Sequence, residues 1–185
     1  ITAYVVDQHG NNVSGQTITY LPSNGSMDVS TEGLFIPYAS GAQTVQVSWV
    51  DLTSTTQTTV VSVTVETGIP SFFVLDGCQG TVPAGIWCAV THTLFDQFGN
   101  EITDVSEAGD LTWVMTNGNY SEVSSEYFPD HVGEWYLNLT STSGAAGSLM
   151  LTVGHGEMES LELDASKTSI TADEHVWINT TRIDI

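Results

Sequence analysis

Asp7-Gln8-His9-Gly10-Asn11 and Asp96-Gln97-Phe98-Gly99-Asn100 are two copies of one phrase, the second starting 89 residues after the first. Each copy ends a tract of alternating apolar residues, and each begins with a residue type that starts turns and places glycine fourth. A recurring strand end at this spacing marks a tandem repeat of small domains.

The alignment extends outward from the phrase. Thr17-Ile18-Thr19-Tyr20 followed by Ser23-Asn24-Gly25 parallels Leu111-Thr112-Trp113-Val114 followed by Thr116-Asn117-Gly118. Phe35-Ile36-Pro37 with Gly41 parallels Tyr127-Phe128-Pro129 with Gly133, and Val63-Thr64-Val65 with Gly68 parallels Leu151-Thr152-Val153 with Gly156. Asp76, Ala84 and Asp96 recur as Asp164, Ala172 and Asp184. The spacing predicts three stretches: 1–68, a domain lacking its first strand; 69–156, a complete domain; and 157–185, the opening strands of a third. Ile1 aligns with Val90 and Ile185 with Gln97, so a window cut from a longer array is expected. A filament subunit that lends its first strand to a neighbour is the weaker account, because it need not carry a second copy of the following strand, as Trp177 to Ile185 does.

Thr, Ser, Val and Gly dominate, and turn residues punctuate the apolar tracts every eight to twelve positions, the pattern of an all-β protein. Thr44-Val45-Gln46-Val47-Ser48-Trp49 sets Val45 and Val47 on one face; Trp135-Tyr136-Leu137-Asn138-Leu139 repeats the alternation and turns Asn138 outward. No significant helix is expected. Asp104 to Gly109 has some helical character but is read as an inserted loop. The predicted core of the second domain is Trp113 with Leu94, Leu137, Leu139 and Leu151 or Val153; in the first, Tyr20 takes the Trp place among Val5, Val45, Val47 and Val63.

Twenty-two acidic residues face only two basic ones, Lys167 and Arg182, for a net charge of −20. Such a surface repels nucleic acid. One reading is a functional surface that gathers cations; the favoured one is the composition of a salt-adapted protein, whose carboxylates keep it hydrated where salt screens their repulsion to within a few ångströms. No apolar run approaches the length of a membrane span.

Cys78 and Cys88 flank Val82-Pro83-Ala84-Gly85, and a hairpin about that turn would bring them opposite one another as a disulfide, which implies an oxidising compartment. Two buried free thiols are the competing reading, and the spacing matches no zinc motif. Five sequons, at Asn12, Asn24, Asn119, Asn138 and Asn179, are candidate N-glycosylation sites of an exported chain.

No catalytic residue is predicted. His9, His92, His131, His155 and His175 do not cluster, and no His-Glu-x-x-His, Gly-x-Ser-x-Gly or P-loop pattern occurs. Each histidine reads as exposed or at the edge of a core. Asp7, Asp96 and Asp184, with the junction acids Glu66, Glu157, Glu159 and Glu162, are oxygen donors of the type that hold Ca²⁺ between domains. The competing role for the Asp is to start the turn by accepting backbone N–H bonds, and the adjoining Gln-x-Gly-Asn favours that role. No metal ligand or cofactor is assigned. Lys–Asn cross-links are ruled out for the first two domains, since Lys167, the only lysine, lies in the third stretch.

The ordered set of Asp-Gln-x-Gly-Asn, a Thr-Tyr or Thr-Trp strand, Ser/Thr-Asn-Gly, aromatic-x-Pro and Gly resembles the bacterial immunoglobulin-like repeats of invasin-type adhesins and large archaeal surface proteins. The resemblance implies tandem immunoglobulin-like β-sandwiches in series, exposed on a cell surface as stalk, adhesin or coat. It brings no catalytic site. The Cys78/Cys88 pair and the loop from Ile102 to Asp110 depart from it. The function expected is a structural or adhesive segment of a secreted, multi-domain, salt-adapted archaeal surface protein, such as an S-layer, stalk or filament component, whose partners are neighbouring repeats, copies of itself, or glycans of another surface. The alternative is an accessory or carbohydrate-binding module of a secreted hydrolase, which would use Trp49, Trp135 or Tyr136 exposed in a groove.

Overall fold

The structure is a computed structural model. It describes residues 1–184 other than Leu52 and Asp173, and the side chains of these other than Met158, Glu159 and 182–184. Regular structure among the described residues is β-strand throughout, apart from one 3₁₀ turn. The chain forms two compact units, Ile1–Pro70 with Phe95–Ile102, and Ser71–Leu94 with Thr103–Ile185.

In the first unit the strands are β1 (Val5–Val6), β2 (Asn12–Val13), β3 (Ile18–Pro22), β4 (Met27–Val29), β5 (Phe35–Pro37), β6 (Gly41–Val50) and β7 (Thr56–Val65). Antiparallel β3-β6-β7 forms the main sheet, β4 pairs with β5, and β1 pairs with β2. The period-two pattern decides which face is covered: Val45 and Val47 are buried while Gln46 and Ser48 between them are not. Met27 joins them in a small core, flanked by half-buried Ile18, Tyr20, Phe35 and Val61. Val5 and Val63, expected inside, are half-buried.

The second unit contains β8 (Pro70–Gly77), β9 (Thr81–Pro83), β10 (Cys88–Asp96), which runs on into the first unit with β11 (Glu101–Ile102), then β12 (Leu111–Met115), β13 (Asn119–Ser121), β14 (Glu126–Phe128), β15 (Gly133–Ser141), β16 (Ala146–Gly154), β17 (Met158–Ala165) and β18 (Ile178–Asp184). Hydrogen bonding runs through β12-β15-β16-β8-β10-β14-β13, with β9 and β11 attached, as one nine-stranded, nearly closed, barrel-like sheet. Its halves meet at a single parallel pair, Ala146 with Phe72. Val90, Tyr127, Leu137 and Leu151 form a core cluster, and Leu94, Leu139 and Val153 are also buried. Trp113, expected at the centre, is half-buried at the cluster's edge against Tyr120. Strands β17 and β18 form a separate antiparallel pair.

Two local expectations change. Val82-Pro83-Ala84-Gly85 does not close a simple hairpin: Thr81–Pro83 pairs in parallel with Thr152–Gly154, which satisfies backbone groups that a tight turn would leave to solvent. The inserted loop contains the 3₁₀ turn Val105–Ala108, nucleated by Asp104, whose Oδ1 accepts from Ser106 N at 3.0 Å and Ser106 Oγ at 2.6 Å.

Leu137→Ala, which empties a fully buried site, is expected to cost about 2–5 kcal/mol in denaturant unfolding. Tyr136→Ala next to it removes a ring that is 50 % exposed and is expected to change stability by no more than about 0.5 kcal/mol.

Candidate interaction site

The repeated phrase folds as one five-residue turn in both places. Asp7 Oδ1 accepts from His9 N at 2.8 Å and Asn11 N at 2.9 Å, and Asn11 Nδ2 reaches Asp7 Oδ2 at 3.0 Å. In the second copy, Asp96 Oδ1 accepts from Phe98 N and Asn100 N, both at 2.9 Å, and Asn100 Nδ2 reaches Asp96 Oδ2 at 2.8 Å. The fourth residue must turn back with positive φ, and Gly10 and Gly99 both sit at φ 83°. Ser30–Leu34, Asp51–Thr55 and Ser141–Ala145 use the same backbone pattern. They lack the full phrase and were not legible as copies, although Ser or Asp at their first position was the available signal. Four donors, the Thr53 hydroxyl foremost, then Thr55 N–H, the Gln57 amide and Thr53 N–H, hold the Asp51 carboxyl at about 2.

The two phrase copies differ in their surroundings. The Asp7 turn is exposed throughout, whereas Asp96 is 1 % exposed and belongs, with its turn, to the first compact unit. There Gly68 N donates to Asp96 Oδ2 at 2.9 Å, Ser40 N donates to Asn100 Oδ1 at 3.0 Å, and Asn100 Nδ2 donates to Tyr38 O at 3.0 Å. Phe98 packs on Tyr38 with ring centroids 5.4 Å apart. A Cβ at position 68 would lie 3.0 Å from Asp96 Oδ2, so a glycine allows this approach. Burial acts to raise the Asp96 carboxyl, but the Asn100, Gly68 and Phe98 donors outweigh it and the group ionises below its ordinary range. With each oxygen accepting two N–H groups, this carboxylate is a turn and docking element, and its lone pairs are not available to a cation. No group of three or more possible metal ligands occurs among the described residues. Asp184 and Glu159 of the expected junction set lie outside the described side chains.

The edge that receives the Asp96 turn has a built counterpart. In the first unit, buried Gln43 donates from Nε2 to Ala39 O at 3.1 Å, holding the Tyr38–Ser40 loop from behind. At the aligned place in the second unit, Trp135 donates from Nε1 to His131 O at 2.9 Å, while buried Asn117 takes His131 N at 3.0 Å and donates to His131 O at 2.9 Å. No partner for Trp135 was legible, because Gln43 stands at the aligned place. Both side chains nevertheless supply an N–H to the same backbone carbonyl.

Cys78 and Cys88 form a disulfide with Cα atoms 5.2 Å apart. Asn12, Asn24, Asn119 and Asn179 are exposed, and Asn138 is half-buried. Trp49 and Trp135 are half-buried and Tyr136 is exposed; Trp49 borders a shallow cleft with Asp7 and Asp51. His9, His131, His155 and His175 are exposed. His92 is half-buried with its ring edge-on to Trp113, and burial lowers its pKa. A cleft of about 520 Å³ lies beside the stacked Trp113 and Tyr120 rings, bordered by His92, Asp110 and Glu122. The site residues therefore stay dispersed, apart from the disulfide pair.

No family model and no curated protein matches the chain. Among solved structures it is similar to the S-layer protein rSbsC(31-844), at 20 % identity and TM-score 0.37 over 98 % of this chain and 31 % of that one. It is also similar to domains 4–9 of surface layer protein SbsC, at 20 % identity and TM-score 0.33 over 99 % and 31 %, and to SbsC domains 4 and 5, at 23 % identity and TM-score 0.29 over 82 % and 80 %. The chain spans about a third of the first of these.

Asp96→Ala strands the Gly68 and Asn100 donors and is expected to cost about 2–3 kcal/mol in the first unit's thermal unfolding; Asp7→Ala is expected to cost clearly less. Because the folded pKa of Asp96 is depressed, its contribution is present above the unfolded-state pKa and is lost as pH falls through the folded value. Acid unfolding in high salt is therefore expected to have a shallower limb in Asp96→Asn than in wild type.

Proposed function

We propose that the chain is a structural segment of a secreted, multi-domain cell-surface protein, built from immunoglobulin-like sandwiches over 1–68 and 69–156 and the opening strands of a third at 157–185. The observation that carries this reading is the recurrence of one strand-end turn in aligned repeats, with the second copy held by Tyr38, Ser40 and Gly68 at the end of the first. Repeats that hold one another through such turns space or coat; their stability grows by nearest-neighbour contact. The sandwich reading has support in the order β8-β10-β14-β13 and β12-β15-β16 with β9, which corresponds to the ABED and CFG sheets of an immunoglobulin-like domain.

A location outside the cell is supported by the disulfide, since such bonds persist in oxidising compartments. The net charge of −20 supports a salt-adapted, archaeal source and an S-layer, stalk or filament setting. Glycans at the exposed sequons and self-association with copies of the same protein belong to this reading.

The intact mass of the protein purified from its native source, taken before and after glycan removal and reduction, tests it. Sugar mass on the sequon asparagines with a deficit of two hydrogens is expected. A bare mass with both thiols free would contradict an exported, glycosylated coat.

A further inference from the structure

The cleft of about 520 Å³ in the second unit is bordered by His92, Asp110, Trp113, Tyr120, Glu122 and Ser125. Trp113 is the middle residue of β12 and His92 the middle residue of β10, so the cleft opens mid-strand on the unit's flank, and none of its residues lies near either end of the sequence. The fold does not require it. At the aligned places the first unit has Ala3, Tyr20 and Val29, which pack on that unit's core where the second has His92, Trp113 and Tyr120.

The lining offers two kinds of surface. Trp113 and Tyr120 stack with ring centroids 4.1 Å apart, and His92 meets Trp113 edge-on at 5.8 Å, which makes a continuous aromatic wall. Beside it stand groups with no hydrogen-bond partner among the described residues: the Trp113 indole N–H, the His92 ring, and the carboxylates of Asp110 and Glu122. Asp110 closes the inserted loop, and its backbone is pinned, its N donating to Thr142 Oγ1 at 3.1 Å and its O accepting from Thr142 N at 3.0 Å. Burial lowers the His92 pKa, so the ring is neutral at neutral pH and carries one donor and one acceptor nitrogen.

These groups select a class of ligand. No Lys or Arg borders the cleft among the described residues, so an anion finds no counter-charge there. The carboxylates and His92 do not come together as a metal-binding group. An organic cation would be held mainly by charge, which molar salt screens beyond about 3 Å. A neutral pyranose suits what remains: its apolar face matches the aromatic wall, and its hydroxyls both donate to carboxylates and accept from indole or imidazole N–H groups.

We propose that the flank cleft of the second unit binds a neutral glycan, one pyranose ring lying against Trp113 and Tyr120 with its hydroxyls donating to Asp110 and Glu122. This adds ligand binding to the structural role and depends on the second unit alone.

The test begins with a microarray of neutral, amino and acidic glycans, probed with the labelled 185-residue chain in molar salt. The best neutral glycan is then titrated into isotope-labelled chain while the Trp113 indole N–H resonance, assigned by its loss in Trp113→Phe, is followed; free arginine in low salt is the cation probe. A saturable shift with the neutral glycan is expected in wild type. Asp110→Ala and Glu122→Ala are each expected to weaken binding about tenfold, and Tyr136→Ala to leave it unchanged. All three substituted residues are exposed, and an unchanged melting temperature confirms that folding is intact. No signal from any neutral glycan, a shift with arginine alone, or full binding in both carboxylate variants overturns the proposal. Glycan binding by a chain whose native form is bare and thiol-reduced would keep the cleft and remove the surface role.

Discussion

A carboxylate with 1 % exposure in a chain that carries 22 acids needs a reason to be inside, and Asp96 has four: Phe98 N, Asn100 N, Asn100 Nδ2 and Gly68 N. Three of these donors shape the turn, and the fourth ties it to Gly68. A buried charge is tolerated when its lone pairs are all spent on donors. Asn100 completes the arrangement: both its amide hydrogens and its carbonyl oxygen are used, on Asp96, Tyr38 and Ser40. The Asp96–Asn100 turn and the Tyr38–Ser40 loop are held together by these few bonds.

The same phrase at Asp7 shows what the turn is without an edge against it. Its internal bonds are nearly the same length, so the turn is set by its own sequence and docking adds no refolding cost. A preorganised element binds with less entropy loss than one that must order on contact.

Much of the fold was legible because its period is two. Val45, Val47, Leu137 and Leu139 alternate with polar neighbours, and burial follows that alternation. The turn phrase was legible because only a short polar side chain at its first place and a glycine at its fourth allow the geometry. The Cys78–Cys88 pairing followed from proximity in sequence, although the strand between them pairs with Thr152–Gly154, a partner some seventy residues away that no local pattern reveals. The receiving edge was not legible at all. It consists of backbone groups at Tyr38, Ser40 and Gly68 with Gln43 as its support, and Trp135, which holds the aligned loop at His131, shares a hydrogen-bond donor with Gln43 but no chemical type. Trp113 was placed too deep because its neighbour Tyr120 stacks on it from the open side, ring centroids 4.1 Å apart.

The Asp96 turn is locked onto the Tyr38–Ser40 loop and Gly68. Amide hydrogen exchange at Ser40 and Gly68 measures this directly. Both amides are expected to exchange as slowly as those of the central strand Gly41–Val50 and to become fast in Asp96→Ala. Exchange at the rate of an open loop in the wild-type protein would contradict it.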